Sequence, residues 1–258
     1  MSFDLDIFFL LAPAFVAGAI ISLAHVPLGQ EVLKRGIIFL DLAVAQFAAL
    51  GMIIFQTFLY SDEYYYLSTY GILFAGLIAA VLCAFAFQWL EKHSGRNQEA
   101  LIGCAFILAA SISLLVLSKN PNGEENIKHI LEGQILWADW GDLIIIAPLF
   151  AFVFLIWQFW KEKRHALFYP LFAIIIPFSV NLIGVYLVFA SLVFPALAVL
   201  NFKNRHITYG LLISLSAYFT GLVASYIFDW SSGPSIVLFF AIVSLTAYFS
   251  ERRKPKPV

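Results

Sequence analysis

Apolar residues in this chain do not alternate with polar ones; they gather in long blocks separated by short polar or basic breaks. A membrane-crossing helix needs about 20 mostly apolar residues. Blocks of that kind cover residues 7–25, 36–60, 69–90, 100–118, 141–160 and 206–228, with a shorter one at 234–250. The stretch 166–200 is too long for one span and holds Pro170, Pro177, Asn181, Gly184 and Pro195. It predicts two short helices meeting at a turn around Phe178 to Ile183, and so about nine elements in all. Interrupted backbone at membrane depth is tolerated where protein or a cavity surrounds it, so this pair points to the working core. The fold class predicted is an all-α polytopic membrane protein of about 8–9 transmembrane helices. Residues 1–250 make the membrane domain, and 251–258 a short basic cytoplasmic tail.

Composition agrees with the block pattern. Of 258 residues, 62% are hydrophobic and 12% charged, against about 25% charged in an average soluble domain. The mean hydropathy is +0.90. A soluble fold of this size could not hide so much apolar surface, so lipid must cover part of it. The net charge of −1 gives no pull toward nucleic acid. Cys83 and Cys104 lie inside apolar runs and read as packing residues. Residues 2–6 lack a positive n-region, so the first apolar block reads as a span rather than a cleaved signal.

Charge placement sets an orientation. With alternate loops on opposite sides, thirteen of the 15 Lys and Arg fall on one side, leaving only Lys119 and Lys128 on the other. The basic side is cytoplasmic. The N-terminus is then outside and the C-terminus inside, which takes an odd number of crossings. Acids gather on the outer face, from Asp4, Asp6, Asp62 and Glu63 to Glu132, Asp139, Asp142 and Asp229, and such a face would concentrate cations near an entrance. The polar stretch 119–142 reads as an external loop ending in Trp137 and Trp140. Those two and Tyr64 to Tyr66 suit the membrane interface.

Few residues could carry chemistry. Asp41 is the one acid placed well inside a predicted span, and a charge there normally faces a partner or a water-filled path. Two readings are open: a residue on a substrate path or gate, or a structural ion pair or protonated acid. Gln46 follows, about 140° around the helix, among Ala43, Ala45, Ala48, Ala49 and Gly51. That stretch reads either as a binding face or as a tight packing face with one buried amide. Asn181 and Gly184 mark the break, and Pro195 stands near the cytoplasmic end ahead of Asn201, Lys203 and Arg205. A short helix along the inner membrane surface after Pro195 would offer a docking element for a cytoplasmic partner; the alternative is an ordinary kinked span end. His25, His93, His165 and His206 fall at cytoplasmic span ends with no helical metal-site spacing. No His-Glu-x-x-His, Gly-x-Ser-x-Gly or Walker loop is present, so any ATP hydrolysis belongs to another chain.

One run is similar to a known signature. Lys34-Arg35, then Asp41, Gln46 and a small-residue stretch ending in Gly51, resembles the metal-type ABC permeases that import zinc, manganese or iron. The resemblance continues through Ala100-Leu-Ile-Gly103, Leu131-Glu-Gly133-Gln-Ile-Leu with Asp142-Leu143, Gly184-Val-Tyr-Leu-Val and Phe194-Pro195-Ala196, and Asp229-Trp-Ser-Ser-Gly233-Pro234. Gln46 stands where that family has histidine, one residue further from the aspartate. Leu40 replaces a glycine, and Glu132-Gly133-Gln134 replaces a Phe-Gly-Asp-like stretch.

The resemblance implies a type II ABC importer-like permease without enzymatic activity of its own, working as a homodimer in the bacterial inner membrane. It implies an ABC ATPase partner that binds the ATP and an external metal-binding solute-binding protein. The transported metal ion is the only ion expected, zinc first and manganese or iron next. Asp41, Gln46 and Asn181 would line the path or gate, with Asp41 touching the metal. Pro195, Ala196, Asn201, Lys203 and Arg205 would form the ATPase-coupling region. Import of a metal chelate or cobalamin-like cofactor, or a non-transporting membrane scaffold, are the alternatives.

Overall fold

The computed structural model describes residues 5–59, 65–93, 97–118, 128, 130–202 and 205–252. Lys203, the tail from 253, His129, Tyr64 and most of the polar loop lie outside the described residues, as do the side chains of Tyr65 and Tyr66. Eight long helices follow in order: α1 (Leu5–Arg35), α2 (Leu40–Phe58), α3 (Tyr65–His93), α4 (Gln98–Leu117), α5 (Trp140–Phe159), α6 (Arg164–Ala198), α7 (His206–Phe228) and α8 (Ser232–Arg252). All eight contain a stretch long and apolar enough to cross a membrane. The described residues contain no strand. Large apolar side chains such as Phe74, Leu82, Leu115 and Ile144 are exposed on the helix faces, as lipid contact requires.

Two predicted boundaries are corrected. Helix α1 does not stop near His25 but runs on to Arg35, through Pro13 and Pro27. A proline removes one backbone hydrogen bond yet keeps a helical φ, and tight packing sustains the rest. At Gly29 that packing is so close that a side-chain carbon would overlap the Leu192 carbonyl. Gly36, at φ +69°, ends the helix in the left-handed conformation suited to glycine. Consequently α2 starts only at Leu40, and Asp41 falls in its first turn rather than deep in a span.

The second correction concerns 166–200. Instead of two helices joined by a turn at 178–183, α6 is helical on both sides of a single non-helical residue, Gly184, at φ 74° and ψ 166°. Prolines 170, 177 and 195 all sit inside helix. Glycine, with no Cβ, adopts a backbone conformation closed to the other residues, whereas proline keeps the helical one. The interruption therefore belongs to the glycine.

The helices form two compact units. One comprises Met1–Arg35, Gln134–Phe159 and Phe189–Val258, the other Gly36–Gly133 and Trp160–Val188. In the first, α1 packs against α5 and α7, and α7 against α8. In the second, α2 packs against α3 and α4.

Candidate functional site

The start of α2 shows why carboxylates collect there. The first N–H groups of a helix have no partner within it and carry partial positive charge. Glu99, in the first turn of α4, accepts the Phe39 N–H through Oε1 at 3.1 Å. Asp41 accepts the Leu42 N–H through Oδ1 at 2.8 Å. Asp41 is wholly buried, and its Oδ2 has no hydrogen-bond partner; neither has the buried Oε2 of Glu99.

One turn further along α2, Leu42 and Gln46 face α4. There Phe106, Ala110, Ser113 and Leu117 form a single helical stripe, at spacings of 4, 3 and 4 residues. Together with Val185 and Tyr186 they enclose a cavity of about 210 Å³. The Gln46 amide nitrogen lies 3.5 Å from Ser113 Oγ, which itself donates to the Ala109 carbonyl at 2.9 Å. The small residues of α2 do a different task. Ala43, Ala45, Ala48 and Ala49 are fully buried, and a Cβ on Gly51 would sit 2.6 Å from the Ala75 carbonyl of α3. The small residues thus pack closely against α3, while Gln46 lines the cavity on the face toward α4.

Val185 and Tyr186 reach the cavity just past the break at Gly184. Gly133 is also left-handed, at φ +73°, and its backbone packs against Ile183 and Gly184 so closely that a side-chain carbon on either glycine would overlap the other segment. The two glycines are mutually required. Asn181 is exposed and does not line this cavity.

In the coupling region, Pro195 and Ala196 lie inside α6, and Ala196 is completely buried. No separate surface helix follows among the described residues. The chain leaves α6 through turns in which Val199, Leu200 and Phe202 N–H groups bond back to Pro195, Leu197 and Val199. Asn201 and Arg205 are exposed, and Arg205 has φ 58°.

Sequence reasoning passed over two features. His25, taken for a loop-end residue, is fully buried, with Nδ1 2.6 Å from Ser191 Oγ. Nearby Ser22 donates to the Gly18 carbonyl at 2.7 Å, and its Oγ lies 2.9 Å from Ser214 Oγ, within hydrogen-bond distance. Glu99 falls just ahead of the apolar block that begins at Ala100, and an acid one residue before a span was the available signal. Among the described residues no three His, Cys, Asp or Glu side chains group as a metal centre. Both cysteines are free.

Eight helices long and apolar enough to cross a membrane make this a polytopic membrane protein. The sequence profile of the ABC 3 transport family matches residues 8–168 and 162–251. The chain belongs to that family, the metal-type ABC transporter permeases, and is a transport subunit. It is 22% identical to the high-affinity zinc uptake system membrane protein ZnuB of Haemophilus influenzae, over 95% of this chain and 99% of that one. It is also 22% identical to the manganese transport system membrane protein MntC of Halalkalibacterium halodurans, over 93% and 86% respectively. Among solved structures, PsaBC from Streptococcus pneumoniae in complex with Fab superimposes with a TM-score of 0.76 at 19% identity, covering 95% of this chain and 94% of that one.

Proposed function

We propose that the chain is the membrane-spanning subunit of an ABC importer in a bacterial inner membrane, moving a divalent transition-metal ion into the cytoplasm. Zinc is the first ion to test, with manganese and iron next. The observation that carries this reading is Asp41, a buried carboxylate with a free oxygen at the head of α2, in a chain of the ABC 3 transport family. A charge sequestered there without a partner is costly unless a cation visits it. Gln46 and Ser113 give the ion a polar point further along α2.

A separate ABC ATPase supplies the energy and an external solute-binding protein delivers the ion, with two copies of this chain forming the pathway. The exposed Asn201 and Arg205, rather than the buried Ala196, meet the ATPase. Eight single crossings would put both termini on one side, whereas the charge pattern puts the N-terminus outside and the C-terminus inside. Separate crossings by the two halves of α6, on either side of Gly184, reconcile the two.

The test is elemental mass spectrometry of a deletion strain grown under zinc, manganese or iron limitation. We expect a selective fall in one metal, restored by the gene but not by Asp41→Asn. An unchanged content of all three, with redundant uptake systems removed, would overturn metal-ion import and favour a chelate.

A further inference from the structure

The head of α2 carries a second carboxylate that the reading above leaves unused. We propose that Asp41 and Glu99 together form a two-carboxylate site for a divalent transition-metal cation at the N-terminus of α2. This rests on the transport reading and adds to it a second ligand and a preference in ligand chemistry.

Each carboxylate spends one oxygen on the helix start: Asp41 Oδ1 on the Leu42 N–H and Glu99 Oε1 on the Phe39 N–H. In each case the other oxygen is buried and has no partner. The bonds to Phe39 and Leu42 bring both groups to one helical turn, close enough for the Glu99 charge to act on Asp41. The stabilisation a helix N-terminus gives a nearby anion falls short of what burying an unpaired carboxylate costs. Two like charges side by side deepen that deficit. A divalent cation bridging Oδ2 and Oε2 removes it, because two negative charges meet two positive ones. An all-oxygen pair suits manganese and ferrous ions at least as well as zinc. An open groove of about 730 Å³ runs beside this helix start, its walls including Phe39, Leu42 and Ala100.

Paramagnetic resonance of Mn²⁺ added alone to the full-length chain in lipid nanodiscs, with Zn²⁺ as competitor, tests the site directly. Glu99→Gln keeps a carbonyl to accept the Phe39 N–H while removing the charge. We expect both Glu99→Gln and Asp41→Asn to weaken binding about tenfold or more, with little further loss in the double variant. Wild-type affinity in Glu99→Gln would reduce Glu99 to a helix cap and overturn the site. Failure of the wild-type chain to bind either ion would overturn it too, leaving the carboxyls to share a proton. Should Glu99→Gln not accumulate, Glu99→Asp, which withdraws the charge by one methylene, is read the same way. Binding without uptake by the wild-type gene would instead remove the transport reading and leave the site.

Discussion

In the unit built on α1, α5, α7 and α8, buried polar side chains pair across helices: His25 with Ser191 at 2.6 Å, Ser22 with Ser214 at 2.9 Å. In the unit holding α2, α3 and α4, several buried polar groups are only half-satisfied, with free oxygens on Asp41 and Glu99 and a stretched 3.5 Å contact from Gln46 to Ser113. The first unit does leave atoms over, among them Gln30 Nε2 and Ser244 Oγ, but these are neutral. Paired neutral groups fasten helices to one another at modest cost; unpaired charges are tolerated only where something else completes them. Buried polarity in one unit therefore fastens helices to one another, and in the other leaves carboxyl oxygens without a partner.

The largest effect expected is one that breaks the frame holding the second unit's cavity. Gly184→Ala or Gly133→Ala adds a carbon where the two backbones touch, at φ values unsuited to alanine, and should abolish accumulation of folded protein in the membrane. Gly103→Ala, where a Cβ meets nothing within 4 Å, should accumulate normally. Immunoblots of membrane fractions check both. Next comes Asp41→Asn, predicted to stop uptake while leaving thermal unfolding in detergent little changed, since asparagine has the same shape and the Oδ2 it replaces has no partner. A fall in stability matching the loss of uptake would make Asp41 a structural residue and erase the contrast between units.

His25→Ala is expected to do the reverse. It should lower stability by about 1–3 kcal/mol, read as a fall in unfolding temperature, because Ser191 loses a partner and a cavity opens beside Phe150. Adding Ser191→Ala should cost less than the sum of the two single changes. Smallest is Gln46→His, predicted to retain uptake and shift ion preference toward zinc, since imidazole is the better zinc ligand. Competition between zinc and manganese in an uptake assay measures it, and an unchanged preference would place Gln46 off the ion's path.

Much of this was legible before any coordinates. Seven of the helices appear in the sequence as apolar blocks, and Asp41 drew attention because an acid in such a block is rare. Other residues were not placed correctly. The first apolar block stops at residue 25, yet α1 continues through Pro27 and carries His25 into the core. Pro195 suggested a helix end, yet Ala196 beyond it is buried in the same helix. Nor does any motif mark Ser113 and Tyr186, which line the cavity beside Gln46.

By itself the sequence determined the solvent: its long apolar blocks commit each segment to helix, because in lipid a helix satisfies its backbone hydrogen bonds internally. It also signalled an interruption within 166–200, expected around 178–183 and found at Gly184, whose lack of a Cβ permits φ 74°. Tertiary structure alone decided which buried polar groups found partners. Pairing His25 with Ser191 joins residues 166 positions apart, and bringing Glu99 to the head of α2 bridges 60 from Phe39. Contacts of that kind depend on how helices pack, and no local pattern of residues records them.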